Sequence, residues 1–289
     1  MIDKRNKAVA ITGGGSGIGL HLARHFASLN WDIAICGRDM KKLETAAECI
    51  ESEFQVDCLW KVADVSNEKQ MQEFSKAVEQ EFQKIDLVVC NAAVIGPLGE
   101  LINISIDDLR ESLAINVVGQ LATLKAFWRA MSAAPSPRAI VVSGGGLGAD
   151  SQLKNALGYV PSKAAMATIV ELLAPEFEKI DGAIMSVAPS GVIPTNFLKN
   201  VKEVGKEVAG EFLYKQAIDQ QAGSIDQLLT GFESLIEFLI TEDGKTFNGR
   251  LLSAKWNPVS EILKEANDGL DKSKYRLRRI DGQLFGPNS

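Results

Sequence analysis

Short runs of consecutive apolar residues alternate along the chain with longer stretches whose apolar positions recur every three or four residues. A parallel sheet covered by helices on both faces buries both sides of every strand, so its strands read as nearly unbroken apolar runs. The pattern predicts strands at Lys7–Thr12, Asp32–Cys36, Asp57–Val62, Ile85–Cys90, Ala139–Ser143 and Ala183–Ala188. Helical periodicity predicts helices between them at Gly17–Leu29, Met40–Phe54, Glu68–Phe82, Asp107–Met131 and Gly158–Glu178. A later helix, Ile225–Ile240, precedes one more strand at Gly249–Ser253. Right-handed βαβ crossovers in series give an α/β fold, a doubly wound parallel sheet of about seven strands with helices on both faces.

Two segments depart from this alternation. Residues 192–226 carry four lysines and five acids in a mixed helical pattern after the sixth strand. Residues 254–289 form a tail with a basic run from Lys272 to Arg279, in which Tyr275, Leu277 and Ile280 interleave with charge. Such interleaving suits a half-buried segment packed on the body or on a neighbouring subunit. No repeat, low-complexity tract or linker precedes Ala188, so residues 1–289 read as one domain.

Composition narrows the function classes. Apolar residues at 46% and charged residues at 24% are those of a folded globular chain, not a disordered one. A net charge of −6 argues against nucleic acid or an anionic membrane as partner, since both need a basic face. No apolar run reaches the roughly 18 residues of a membrane span, and no signal-peptide core follows Met1. A cytoplasmic location is the expectation. Cys36, Cys49, Cys58 and Cys90 form no C-x-x-C pair and read as reduced structural thiols. His21 and His25 lie one helical turn apart without the neighbouring carboxylate of a zinc motif. They read as solvated, and no metal is expected.

The first predicted strand runs through Thr12-Gly13-Gly14-Gly15-Ser16-Gly17-Ile18-Gly19 into a helix. Glycines there permit a tight turn and bring backbone N–H groups to an anion at the helix N-terminus. Gly17 is followed by Ile18 and not by Lys-Ser/Thr, so a P-loop is excluded. In the first βα turn of a parallel sheet, such a loop marks a dinucleotide pyrophosphate site. The second strand ends in Gly37-Arg38, where an NAD site usually places an acid for the ribose hydroxyls. Arg38 offers a permanently charged fork suited to a 2′-phosphate, with Lys41 and Lys42 close by and Asp39 opposing them. NADP(H) is therefore favoured, with NAD(H) left open.

Tyr159 and Lys163 stand one turn apart at the start of the helix after the fifth strand. An ammonium near a phenol favours the phenolate and prepares the tyrosine for proton transfer. Together with the glycine loop, this placement resembles the short-chain dehydrogenase/reductase family in its compact single-domain branch. The resemblance runs from about Lys4 to Ser253. Asp64-Val65 looks like the family's adenine-contacting pair, and Asn91-Ala92-Ala93 is similar to its Asn-Ala-Gly turn. Asn116 resembles the helix asparagine that supports a water relay. Pro189, Gly191, Val192 and Thr195 resemble the segment at the nicotinamide end.

The resemblance implies a Rossmann-type fold. It also implies hydride transfer between a nicotinamide coenzyme and a small-molecule carbonyl or secondary alcohol. Tyr159 would be the general acid/base, and Lys163 would hold the nicotinamide ribose and lower the phenol's pKa. Asn116 would position a water for Lys163, and residues 192–226 would be a lid. A homodimer or homotetramer packed through Asp107–Met131 and Gly158–Glu178 is also implied.

Two departures stand out. The family's carbonyl-polarising serine is expected about 13 residues before the tyrosine, where Gly146 stands; Ser143 lies 16 residues before it. If the strand end bends through its glycines, Ser143 reaches the site. If it runs straight, Gly144 takes the place, because side chains alternate along a strand. The last strand ends in Ser253-Ala254-Lys255 in place of the usual Val-Asp-Gly-Gly. The missing serine keeps a second reading open, a catalytically weak NADP-binding sensor or assembly protein on the same fold.

Overall fold

The computed structural model describes residues 6–145, 147, 153–189, 197–218 and 225–277. Seven strands form one parallel sheet in the order β3-β2-β1-β4-β5-β6-β7. The elements follow in chain order as β1 (Ala8–Thr12), α1 (Gly17–Ser28), β2 (Asp32–Gly37), α2 (Met40–Phe54), β3 (Cys58–Val62), α3 (Glu68–Phe82) and β4 (Leu87–Cys90). Next come α4 (Ile106–Leu113), α5 (Gly119–Ser132), β5 (Arg138–Val142), α6 (Tyr159–Glu178) and β6 (Ala183–Ala188). The chain continues through α7 (Phe197–Ala209), α8 (Glu211–Ile218), α9 (Ile225–Leu239), β7 (Leu251–Ser253) and α10 (Val259–Asp268).

The central strands are largely apolar because both of their faces are covered. Ile11, Ile35, Val89 and Ile140 pack with Leu22 and Phe26 of α1 and Phe232 of α9. Ala10, Val88, Val141 and Ile184 pack on the other side with Phe74 of α3, Phe127 of α5 and Met166 of α6. Polar caps stop the helices where the sequence changes character. Asp39 accepts from the Lys42 N–H at 3.2 Å, and Asn67 does the same for Gln70.

The helix predicted over Asp107–Met131 is interrupted. A π-helical turn at Ala114–Val118 separates α4 from α5, carrying one extra residue where Asn116 turns inward. The last strand is shorter than predicted, since Gly249 has φ +76° and Arg250 turns its buried side chain to the tail. Arg250 Nη1 donates to the carbonyls of Lys272 and Lys274 at 2.7 and 2.8 Å. Tyr275 Oη donates to Glu265, and Arg276 pairs with Glu171 on α6. Residues 271–277 are thereby packed on the body. Arg278, Arg279 and Ile280 lie outside the described residues. Among the described residues no helix is long and apolar enough to cross a membrane.

The histidines are not solvated. His21 Nε2 lies 2.6 Å from Glu233 Oε1, and His25 approaches Glu233 and Glu237 at 3.2 and 2.9 Å. Both carboxylates come from α9, far downstream, so their approach is a product of the fold.

Candidate active site

Strand order reverses between β1 and β4, and the crevice outside the carboxyl ends of such strands is where ligands bind in open α/β sheets. Here it is a cleft of about 1610 Å³, roomier than the ~300–1,000 Å³ of a single small-molecule site. Gly13, Gly15, Ser16, Gly17 and Ile18 line one part of it, with Arg38, Asp64, Val65, Ala92 and Ala93. Tyr159, Lys163, Ser143, Gly144 and Pro189 line another. Gly191, Val192 and Thr195 fall outside the described residues, as does Gly146.

The glycine loop is fixed by sterics. Gly17 has φ +57°, a conformation that disfavours a side chain. A Cβ on Gly19 would stand 2.3 Å from the Gly13 carbonyl oxygen, so α1 could not start so close to the loop. Thr12 and Asn91 hold the loop to the end of β4. Thr12 Oγ1 accepts from the N–H groups of Asn91 and Ala92, both at 3.0 Å, and Asn91 Nδ2 donates to the Thr12 carbonyl at 2.8 Å. Both residues thus shape the cradle with each side chain bonded to the other's backbone.

Arg38 projects into solvent at the mouth, its side chain 62% exposed. Its guanidinium is 3.9 Å from Asp64, whose Oδ1 is already engaged by the N–H and hydroxyl of Ser66. Asp39 is turned to the N-terminus of α2 as its cap, 3.6 Å from Lys42 Nζ. The acid that opposed the Arg38 assignment is therefore occupied in holding the helix. The cradle and its cationic mouth fit an anionic dinucleotide.

At the opposite end, Lys163 is buried and donates to the Val142 carbonyl at 2.8 Å. Burial pulls its pKa down from 10.5 to about 8. Its ammonium lies 5.5 Å from the centroid of the Tyr159 ring. Burial pushes the Tyr159 phenol upward. The Tyr159 ring packs against an apolar cluster containing Ile95 and Leu213, which desolvates the phenol.

Asn116 does not reach Lys163 through its side chain. Its Nδ2 donates to the Val94 carbonyl and to Ser162 Oγ at 2.8 and 3.1 Å, and its Oδ1 accepts from the Val94 N–H. Ser162 in turn donates to the Tyr159 carbonyl at 2.6 Å. This side chain ties the segment after β4 to the first turn of α6.

The end of β5 runs straight. Ser143 N–H continues the ladder to the Val187 carbonyl at 2.8 Å, and Ser143 Oγ is buried without a hydrogen-bond partner among the described residues. Gly144 is the residue at the tyrosine: a Cβ built there would stand 1.9 Å from Tyr159 Oη. The thiols of Cys36 and Cys58 are pushed up to about 12 by burial, and that of Cys90 is raised as well. None of the three is activated as a nucleophile.

A glycine-bordered cradle, a tyrosine and a lysine on one turn of α6, and an all-parallel sheet in this order together invite comparison with known proteins. The family described as short chain dehydrogenase matches residues 7–205. The chain belongs to the short-chain dehydrogenase family. Short-chain dehydrogenase/reductase 3 of Homo sapiens is 34% identical over 173 residues, covering 59% of this chain and 56% of that protein. The match thus spans little more than half of the human relative. The NADP-dependent 3-hydroxy acid dehydrogenase of Schizosaccharomyces pombe is 27% identical over 212 residues, 73% of this chain and 80% of the relative. Among solved structures, levodione reductase superposes with a TM-score of 0.73 at 21% identity, covering 86% of this chain and 96% of the other. An alcohol dehydrogenase from Thermococcus sibiricus complexed with 5-hydroxy-NADP gives 0.65 at 25% identity, over 81% and 91% of the two chains.

Within this short-chain dehydrogenase, sequence reasoning missed the apolar wall around Tyr159. Ile95 and Leu153 come from two loops and Leu213 from α8, and an isolated apolar loop residue carries no periodic signal. Trp256, 71% exposed just past β7, also lines the cleft. A lone tryptophan after the last strand was the one sign available.

Proposed function

We propose that this chain is an NADP(H)-preferring oxidoreductase that interconverts a carbonyl and a secondary alcohol, with Tyr159 as general acid/base. One observation carries the reading. Tyr159 and Lys163 share a single cleft with the glycine cradle and the exposed Arg38. The bound nicotinamide coenzyme would supply or accept the hydride. Backbone N–H groups from Gly13 to Gly19 would face its pyrophosphate, and Arg38 with Lys41 and Lys42 would hold the 2′-phosphate. Lys163 would bind the nicotinamide ribose.

At neutral pH the Tyr159 phenol would carry its proton, the form that donates to a carbonyl oxygen as it becomes an alkoxide. Asn116 and Ser162 fix the turn of α6 from which that proton is delivered. Ser143 stays outside the reacting set in this reading, and a backbone N–H or water near Gly144 takes the serine's part. Exposed Val118 and Leu172 on the π-helical turn and α6 support association into a homodimer or homotetramer through these helices. Four free cysteines suit a reducing cytoplasm.

The test is a panel of ketones, keto sugars and 3-oxoacyl thioesters assayed with NADPH and NADH, for wild type and Tyr159→Phe. Turnover should fall by about two or more orders of magnitude in the variant, the range for losing a general acid, with coenzyme binding retained. Variant activity within about a factor of two of wild type would move the chemistry off Tyr159. A second reading, a catalytically weak NADP-binding sensor or assembly protein, draws support from Gly144, which brings no hydroxyl to the tyrosine. Coenzyme binding without turnover on any member of the panel would favour it.

A further inference from the structure

The two ends of the cleft differ in chemistry. The adenine end is ionic, with Arg38, Asp39, Lys41, Lys42 and Asp64. The tyrosine end is largely hydrocarbon, with Ser143, Asn200, Ser253 and Asn257 as its uncharged polar lining. The helices α7 and α8 bury Leu198, Val201 and Leu213 against Ile95, and Leu153 and Tyr159 itself pack on that cluster. Phe212 and Leu147 extend the same wall along the cleft. Among the described residues, the cations there are Lys163 and Lys255. Lys163 Nζ is on the Val142 carbonyl, and Lys255 lies exposed with its ammonium 4.6 Å from the Trp256 ring centroid. A carboxylate or phosphate drawn down beside Tyr159 would leave water where the buried Lys163 is already on a carbonyl and Lys255 lies exposed beside Trp256, which is costly. An alkyl or aryl body would gain from every methylene it removes from water.

Resting on the oxidoreductase reading above, we infer that the substrate is an uncharged ketone or aldehyde with an extended apolar body. Its carbonyl lies at Tyr159 Oη, its body lies along Ile95, Leu153, Phe212 and Leu213, and its far end emerges at Trp256. Gly144 belongs to the same design. With no side chain there, the phenol packs directly against the β5 backbone.

The test measures affinity independently of turnover. Methyl ketones from butan-2-one to undecan-2-one are titrated calorimetrically into the complex of the protein with NADP⁺, in which no hydride can pass to a ketone. Dihydroxyacetone phosphate and a keto sugar serve as polar probes. Affinity should rise about fourfold per methylene until the wall is covered, the increment for burying one CH₂. Phe212→Ser and Trp256→Ala change exposed positions that tolerate substitution, and should weaken undecan-2-one by about fivefold or more and butan-2-one by much less. Affinity that is flat with chain length, or tighter binding of the phosphate or the sugar, overturns the inference. Graded binding without hydride transfer from NADPH would leave the inference standing and remove the oxidoreductase reading. Turnover confined to polar ketones would do the reverse.

Discussion

Replacing Gly144 with alanine adds one methyl group at the point where β5 meets the proposed proton donor. The added Cβ would stand 1.9 Å from Tyr159 Oη, 2.7 Å from Cζ and 3.0 Å from Cε1. Ordinary contact begins at 3.4 Å, so the hydroxyl must withdraw by about 1.5 Å or the strand end must move. Gly144 is not in the left-handed region, so backbone strain adds nothing and the effect is steric. A displacement of about 1 Å at a reacting group can cost a hundredfold in rate. Gly144→Ala should therefore lower turnover by about two orders of magnitude while the distant coenzyme cradle keeps its affinity. Overpacking of this kind also destabilises by roughly 1–3 kcal/mol. Tyr159→Phe removes the nearest clashing atom, so the stability cost of Gly144→Ala should shrink in that background. Turnover and chemical denaturation are measured for the four members of the cycle. Wild-type turnover in Gly144→Ala, or an equal stability cost in both backgrounds, would refute the placement of the phenol against the strand.

Arg38→Asp replaces the cation at the cleft mouth with an acceptor for ribose hydroxyls, and should weaken NADP⁺ by about tenfold or more while improving NAD⁺ relative to it. Calorimetry with both coenzymes checks this, and an unchanged ratio sinks the assignment. Lys163 holds its proton up to an ordinary 10.5 when unfolded but only to about 8 when folded, so unfolding takes up a proton between those values. Its contribution to stability therefore rises with pH across that window. Melting temperatures from pH 7 to 10 should show a rise in wild type relative to Lys163→Met, and parallel curves would count against a buried, depressed lysine. Deleting residues 270–289 removes two carbonyl acceptors from the buried Arg250 together with the packing of Tyr275, and should cost several degrees of melting temperature, since losing hydrogen bonds to a buried charged group costs about 1–3 kcal/mol. An unchanged melting temperature would mean that the tail is not an integral part of the fold.

The strands and the cradle were legible in the sequence because their rules are local. Ala8–Thr12 and Ala183–Ala188 are apolar on both faces, and the glycine loop follows the first of them directly. Tyr159 and Lys163 share one helical turn, so their association needed no tertiary information. What stayed hidden depends on distant packing. The π-helical turn has no compositional mark, since it exists to let Asn116 reach Val94 and Ser162. The spacing of His21 and His25 was visible, but Glu233 and Glu237 reach them only after α9 docks on α1. Alternation along β5 posed the choice between Ser143 and Gly144. Burial of Ser143 Oγ and the approach of Tyr159 to Gly144 are tertiary facts, and no one-dimensional pattern contains them.

The tail beside β7 bears on how copies of this chain can meet. An outer strand offers unpaired N–H and C=O groups that can template the strand of another molecule. The Leu251 N–H is already taken by the Tyr275 carbonyl at 2.8 Å, and Arg250 anchors the same stretch from beneath. This rim of the sheet carries its own chain as a guard. Continuing the sheet from one molecule into the next across β7 would first require residues 271–277 to be peeled away.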